Sequence, residues 1–239
     1  MRTKAARKPG KGDVSRPDPH ADYREKKRFY QSREVACDYD FHRFGSAERA
    51  RRNVCKWRAI SRALAQASGI RSVLDLPCGT GRFIGHLADG GFDVVGADIS
   101  TAMMSEARSR LGGRVGLRGF LRADAERLPL ADGSIDCVMS IRFLHHIDPP
   151  TRVAILRELA RVSRRWLILD FRHKRSYRYL ILRLRAVLGI PSRRGAPQVS
   201  RREMDAELAA AGLRAVAVFP VARFFSDKWI VLGEKNGTA

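Results

Sequence analysis

The 239-residue chain has few cysteines, no long apolar run and, over one stretch, no acidic residues at all. Its four cysteines, Cys37, Cys55, Cys78 and Cys137, are scattered and form no C-x-x-C pair. That excludes a disulfide framework and a structural zinc site, leaves no metal site to expect, and fits a reducing, cytoplasmic setting. No stretch approaches the ~20 apolar residues of a membrane span. The most apolar one, Tyr179 to Ile190, is interrupted by Arg183 and Arg185. The N-terminus is basic, but no apolar run follows it, so it does not read as a secretory signal.

Positive charge is what the chain has in excess. Lys and Arg number 46 against 25 Asp and Glu, for a net charge of +21. Taken alone, that balance points to a nucleic-acid or membrane-surface binder. The charge is unevenly placed. Residues 1–33 carry 11 basic and 4 acidic side chains, and residues 172–202 carry 10 basic and none acidic. The rest of the chain is close to neutral, as in an ordinary globular domain. Length and a 44% apolar content suit one α/β domain.

Residues 1–22 read as a disordered basic tail, in which Arg2, Lys4, Arg7, Lys8 and Lys11 mix with prolines and glycines. Residues 23–239 read as a single domain. Its first part, 23–68, holds N-terminal cap helices, with Ser46 capping a helix to about Ser68. Ile60, Leu64 and Ala67 would line the buried face of that helix, with Arg49, Arg52 and Lys56 in water. From residue 71 strand and helix signals alternate. Strands are expected at 72–76, 92–97, around 115–121, 135–140 and 166–170. Helices are expected at about 82–89, from Ser100 to Leu111, and from Asp148 with Pro149 at its first position. A capping box, Ser200 with Glu203, opens a helix to about Ala211. Two strands, about 213–219 and 228–233, close the chain. The pattern predicts an α/β, Rossmann-like, doubly wound, mostly parallel seven-stranded sheet with an antiparallel edge hairpin.

Ligands of such sheets bind at the carboxyl ends of the strands. Those ends carry Asp75-Leu76-Pro77-Cys78-Gly79-Thr80-Gly81, then Asp98-Ile99, Asp124-Ala125 and Ser140-Ile141-Arg142. Gly79 and Gly81 permit close backbone approach and positive φ, and the following helix offers free N–H groups. Asp98 lies about 20 residues beyond Asp75, the offset of an acid that accepts from ribose hydroxyls. Asp124, one strand further on, is placed for an adenine amino group. A nicotinamide dinucleotide is disfavoured, because Ile84 stands where G-x-G-x-x-G needs its third glycine.

At these residues the chain resembles a known family. Val73 to Phe83 resembles the first motif of the class I S-adenosylmethionine-dependent methyltransferases. Val94 to Ser100 resembles their second motif, and Arg122 to Leu130 their third. Ser134 to Ser140 with Phe143 to Ile147 is similar to their fourth strand and its exit. The likeness is greatest to the type 11 group, which includes the ubiquinone and menaquinone biosynthesis enzymes. It implies S-adenosylmethionine as cofactor, with 71–170 the cofactor-binding core, 172–202 a basic acceptor-side lid and 203–239 a C-terminal helix and hairpin. It places the methionine part on the turn Pro77, Cys78, Gly79, Thr80, Gly81 after Asp75, and the ribose on Asp98. Ile99 would pack on the adenine, Asp124 and Ala125 would meet its edge, and Ser140 would face the sulfonium. Tyr39 and Arg43 are similar to the family's N-terminal cap. Pro77 departs from the family's first glycine, and Ser163-Arg164-Arg165 replaces its Pro-Gly-Gly turn.

The acceptor is less defined. His145 and His146, beyond the fourth strand, are the candidate general bases, with His173 beyond the fifth. Arg142 would hold an anionic acceptor. The end of the fourth strand lacks the Asn/Asp-Pro-Pro-Tyr/Phe of amide and adenine N-methyltransferases, and no Pro-Cys nucleophile of the cytosine C5 type is present. In 172–202, Tyr177, Leu180, Ile181, Leu184, Val187 and Leu188 share one helical face, opposite Arg175, Arg178 and Arg185. Three readings stand for this segment: contact with an anionic membrane surface or lipid-linked acceptor at the inner face of the membrane, a lid packed on its own core, or nucleic-acid stacking through Tyr177 and Tyr179. The expected function is methyl transfer to a small, lipid-like molecule. An RNA-directed methyltransferase, or a nucleic-acid binder that retains the cofactor fold, is the alternative.

Overall fold

Seven strands pair into one sheet because successive side chains alternate between two apolar faces. In the computed structural model, which describes residues 22–31, 47–174, 181, 184–185, 187–188, 198–222 and 226–237, the strands are β1 (Ser72–Asp75), β2 (Asp93–Asp98), β3 (Leu117–Arg122), β4 (Ile135–Ser140), β5 (Ser163–Arg172), β6 (Leu213–Pro220) and β7 (Lys228–Lys235). Their order is β3-β2-β1-β4-β5-β7-β6. The first five run parallel, and β7 enters antiparallel between β5 and β6.

The alternation is visible strand by strand. Val73, Cys137, Met139 and Ile168 pack into one apolar cluster. Leu74, Val138, Leu167 and Leu169 pack into the other. Both faces of β4 are buried along its whole length, as a central parallel strand requires. Helices α2 (Ala47–Gln66) and α3 (Ile84–Asp89) cover the first face through Ile60, Ala63, Ile84 and Leu87. Helices α5 (Pro149–Val162) and α6 (Arg201–Ala210) cover the second through Ile155, Leu159, Met204 and Leu208. Helix α1 is Tyr23–Gln31 and α4 is Thr101–Leu111.

The helix starts follow the capping residues. The Ser100 side chain accepts from the Met103 amide and that of Asp148 from the Thr151 amide. Ser200 and Glu203 form the reciprocal capping box.

Several boundaries and one burial differ from the sequence expectation. The helix expected from 82 begins at Ile84, because residues 79–83 remain in the turn. β3 begins at Leu117 rather than 115. β5 begins at Ser163, directly after α5, and extends to Arg172. Its polar start is tolerated because Arg164 pairs with Asp136 and Arg165 with Glu234. Lys56, expected in water, is buried and paired with Asp170. The basic tail 1–21 and most of 172–202 lie outside the described residues. Among the described residues no helix is long and apolar enough to cross a membrane.

Candidate functional site

The strand order reverses direction between β1 and β4. A cleft of about 960 Å³ opens at the carboxyl ends of these strands, where a doubly wound sheet places its ligand. The turn after β1 forms one wall, with Asp75, Pro77, Cys78, Gly79 and Thr80. Gly79 has φ +54° and Gly81 φ +75°, which side chains rarely adopt. A Cβ on Gly81 would also lie 2.6 Å from the Leu111 side chain. Gly81 therefore serves turn and helix packing and does not line the cleft.

Asp98 is the best-held polar group of the cleft. One carboxylate oxygen accepts the Gly79 amide at 2.8 Å, and the other accepts the Ser100 amide at 2.9 Å. Burial raises its pKa, while the amides of Ser100, Gly79 and Ile99 hold it down. Such a carboxylate is pre-oriented and retains lone pairs for further donors. Asp75 sits below it, and burial with the charge of Asp98 pushes its pKa well above the usual carboxylate range. Ile99, Met103 and Phe83 add apolar lining.

The opposite wall is the exit of β4, with Ile141, Arg142, Phe143, His146 and Ile147. Arg142 adopts φ +65°, an unusual conformation for a side-chain-bearing residue and one associated with functional turns. Its amide donates to Asp170 Oδ1 at 2.7 Å, which anchors the turn. Asp170 Oδ2 accepts from Lys56 Nζ at 2.5 Å. Burial raises the Asp170 pKa, but Lys56 and His145 hold it well below the usual range. His145 points into this cluster: its buried Nδ1 is 3.5 Å from Asp170 Oδ1 with no hydrogen-bond partner. Burial lowers its pKa against the opposing pull of Asp170.

Helix α1 closes the cleft with Tyr23, Lys26, Lys27 and Tyr30. Lys26 Nζ donates to the His146 carbonyl at 2.7 Å. Lys27 Nζ donates to Asp124 at 2.6 Å and also pairs with Glu126. The Tyr23 ring meets Phe143 edge-on at 5.9 Å.

Of the residues expected from the sequence, Asp75, Pro77, Cys78, Gly79, Thr80, Asp98, Ile99, Arg142 and His146 line one cleft. Asp124 stands beside it, engaged by Lys27. Ala125 packs in the core, and Ser140 is fully buried with its hydroxyl unbonded. His145 turns away toward Asp170. His173 stacks on Trp229 at 4.3 Å. Tyr39, Arg43 and Tyr177 lie outside the described residues. The α1 residues and the Lys56–Asp170 pair were not anticipated. The aromatics of α1 were the available signal for the former, and nothing local marks the latter.

Residues 73–165 match the family model of a methyltransferase domain. The chain is 33% identical over 182 residues to the ubiquinone/menaquinone biosynthesis C-methyltransferase UbiE of Pseudomonas entomophila, a match that covers 68% of each protein. It is 46% identical over 107 residues to the demethylmenaquinone methyltransferase of Beutenbergia cavernae, where the match covers 45% of this chain and 42% of that relative. The chain thus spans about two fifths of the length of that relative. In fold it is similar to the magnesium protoporphyrin IX methyltransferase of Synechocystis PCC 6803, a structure with bound SAH. The TM-score is 0.61 at 19% identity, covering 91% of this chain and 89% of that one.

Proposed function

Because the chain belongs to the S-adenosylmethionine-dependent methyltransferases, we propose that it transfers a methyl group from S-adenosylmethionine to a small, lipid-like acceptor of the quinol type. The observation that carries the cofactor half is Asp98, a buried carboxylate fixed by two backbone amides and lining a cleft at the reversal point of the sheet. Its chemistry fits a ribose diol. Gly79 and Thr80 offer backbone to the methionine part, and Ile99, Met103 and Phe83 offer apolar surface to the adenine.

The bound cofactor supplies a methyl group already activated on sulfur. The work of the chain is then alignment, for which about 7–11 kcal/mol is available in principle. Tyr23 and Phe143 narrow the cleft and exclude water, and Arg142 orients the acceptor from the β4 exit. His146, the member of the histidine pair that lines the cleft, is the group to take a proton from an acceptor that must lose one.

A lipid-like acceptor is supported by the segment after β5. Ile181, Leu184, Val187 and Leu188 are between 49% and 80% exposed, and the Leu188 amide donates to the Leu184 carbonyl as in a helical turn. Four large apolar side chains in water, in a stretch without acids, suit the surface of an anionic bilayer.

Calorimetry tests the cofactor half. Wild type should bind S-adenosylhomocysteine, and Asp98→Ala should bind it about 10- to 150-fold more weakly, the loss of a charge-assisted bond of about 1.5–3 kcal/mol. Equal binding by both, or binding by neither, refutes it. Sedimentation with anionic and neutral vesicles, beside an RNA gel shift, tests the acceptor side. Retention by RNA alone would favour the nucleic-acid reading.

A further inference from the structure

The turn that leaves β4 carries the wall of the cleft opposite Asp98, and one buried carboxylate behind that wall touches the turn twice. Ser140, the last residue of β4, is the register partner of Leu169 on β5, so Asp170 comes just past the end of β4, level with the turn. Its Oδ1 accepts the Arg142 amide at 2.7 Å. The same oxygen lies 3.5 Å from Nδ1 of His145. The His145 ring packs in turn on that of His146, with centroids 4.2 Å apart and planes tilted by 42°. Arg142 and His146 line the cleft, whereas Asp170 and His145 do not. The carboxylate thus reaches two groups of the wall at second hand, one through its main chain and one through a neighbouring ring. It is itself fixed from a further element, because Lys56 Nζ of α2 meets Oδ2 at 2.5 Å.

We infer that Asp170 is a positioning residue for methyl transfer: it holds the turn after β4 in the conformation that presents Arg142 and His146 to the acceptor. The inference rests on the reading of the cleft as a methyltransferase site, and deepens it. Arg142 adopts φ +65°, a conformation that persists in a side-chain-bearing residue only when its surroundings impose it. A charge-assisted bond from its amide to a fixed carboxylate does so. Lys26 and Arg152 also hold the turn, but by the carbonyls of Leu144, His146 and Ile147. They fix its later part and leave the Arg142 amide and the His145 ring to Asp170. Asp98 and the Gly79 turn stand on the other wall and share no contact with this group, so a change at Asp170 should disturb the acceptor and spare the cofactor.

The test compares two variants in one background. Lys56→Met/Asp170→Asn and Lys56→Met/Asp170→Leu both lack the buried charges and differ little in size, but only Asn can accept the Arg142 amide. In NMR spectra of the full chain with S-adenosylhomocysteine, the Arg142 amide and His146 ring signals should stay near their wild-type positions in the Asn variant. In the Leu variant they should move together, with S-adenosylhomocysteine affinity unchanged. With 1,4-naphthohydroquinone as the acceptor probe, kcat should fall about 10- to 100-fold in the Leu variant, the scale of a displacement of about 1 Å. KM for S-adenosylmethionine should not change, and the Asn variant should recover most of the rate. Arg142→Ala added to the Leu variant should cost little more, because the two changes act along one route. Leu87→Ala, which opens a core cavity under α3, should leave signals and kcat in place although it destabilises the chain. Unmoved Arg142 and His146 signals in the Leu variant overturn the inference, as does an equal displacement in the Asn variant or in Leu87→Ala. Should the Leu variant fail to fold, Asp170→Glu, which keeps both charges and lengthens the side chain by one methylene, takes its place, and unmoved signals there overturn the inference. If wild type does not turn over naphthohydroquinone, the signals alone decide. Failure of S-adenosylhomocysteine to bind wild type counts against the methyltransferase reading, while the signals of the unliganded chain still show whether Asp170 holds the turn.

Discussion

Replacing Asp170 by Asn should cost far more stability than removing both members of its ion pair. Lys56 is 4% exposed and Asp170 is 1% exposed, with Nζ and Oδ2 2.5 Å apart. Asp170→Asn leaves the Lys56 ammonium buried without a counter-ion, among Arg142 and Lys228. Breaking a buried pair in this way costs about 3–5 kcal/mol. For a chain of this size that lowers Tm by roughly 6–20 °C. The Asn side-chain oxygen can still accept the Arg142 amide, so the β4 exit keeps its anchor. In Lys56→Met/Asp170→Asn both charges are gone, and the loss should fall to about 1–2 kcal/mol. The coupling from the double-mutant cycle should then be at least about 2 kcal/mol. The pH dependence has a definite sign. Burial lowers the Lys56 pKa in the folded chain, so above that pKa the unfolded chain binds the extra proton and stability rises with pH. The Asp170→Asn deficit should therefore shrink toward alkaline pH, and that of the double variant should not. Urea denaturation of the four proteins at neutral and alkaline pH measures all of these quantities. If Asp170→Asn and the double variant lose equal stability, the pair is not an electrostatic unit and the reasoning fails.

Other outcomes follow from single contacts. Asp75 has a raised pKa, so the folded chain holds its proton where the unfolded chain has released it, and stability falls as pH rises through that window; Asp75→Asn should raise Tm, more at pH 8 than at about pH 5, and an unchanged or lowered Tm across that range refutes it. Arg152 is buried, pairs with both oxygens of Glu207 and donates to the carbonyls of Leu144 and Ile147; Arg152→Met should cost about 3–5 kcal/mol in urea denaturation, because it leaves Glu207 and two carbonyls unmatched. Lys27→Met removes two partly exposed pairs worth about 0.2–1 kcal/mol each, so amide exchange in α1 should speed up about two- to thirtyfold while global stability barely moves.

The β1–β2 wall of the cleft was legible in the sequence because its determinants are local. The turn 77–81, Asp98 and Ile99 each follow a strand, and a parallel sheet brings strand ends together without further instruction. Strand assignments succeeded for a related reason: Val73 and Leu74, or Leu167 and Ile168, are apolar on both faces, which only a sheet covered on both sides can use. Boundaries slipped where polar residues were rescued by distant partners. Ser163 to Arg165 joins β5 because Asp136 and Glu234 receive its arginines. The opposite wall, at the β4 exit and α1, was opaque for the same cause. Lys56 and Asp170 are 114 residues apart, and Lys26 and the His146 carbonyl 120 apart. No periodicity reports such pairings, and a lysine at a helical polar position is normally in water.

The excess charge of the chain gains a location from these pairings. Around the sheet, Arg152, Arg161, Arg164, Arg165, Arg172 and Arg214 each meet a carboxylate. The segment 172–202, which leaves β5 at Arg172, carries ten basic residues and no acidic ones, so any carboxylate that meets them comes from elsewhere in the chain, as Asp227, Glu203 and Asp205 do for Arg172, Lys174 and Arg201. That segment returns to the sheet end from which it departs: the Val199 amide donates to the Arg172 carbonyl, and the Lys174 amide donates to that of Val199. Arg172 is in turn the register partner of Lys228. The exposed apolar residues 181, 184, 187 and 188 belong to a segment that leaves and rejoins the sheet at the carboxyl end of β5. Exposed at the surface, Leu184 and Val187 are the side chains through which such a segment would enter a bilayer: replacing both by Ser should weaken sedimentation with anionic vesicles and leave S-adenosylhomocysteine affinity unchanged, and equal vesicle binding by wild type and the double variant refutes the membrane reading.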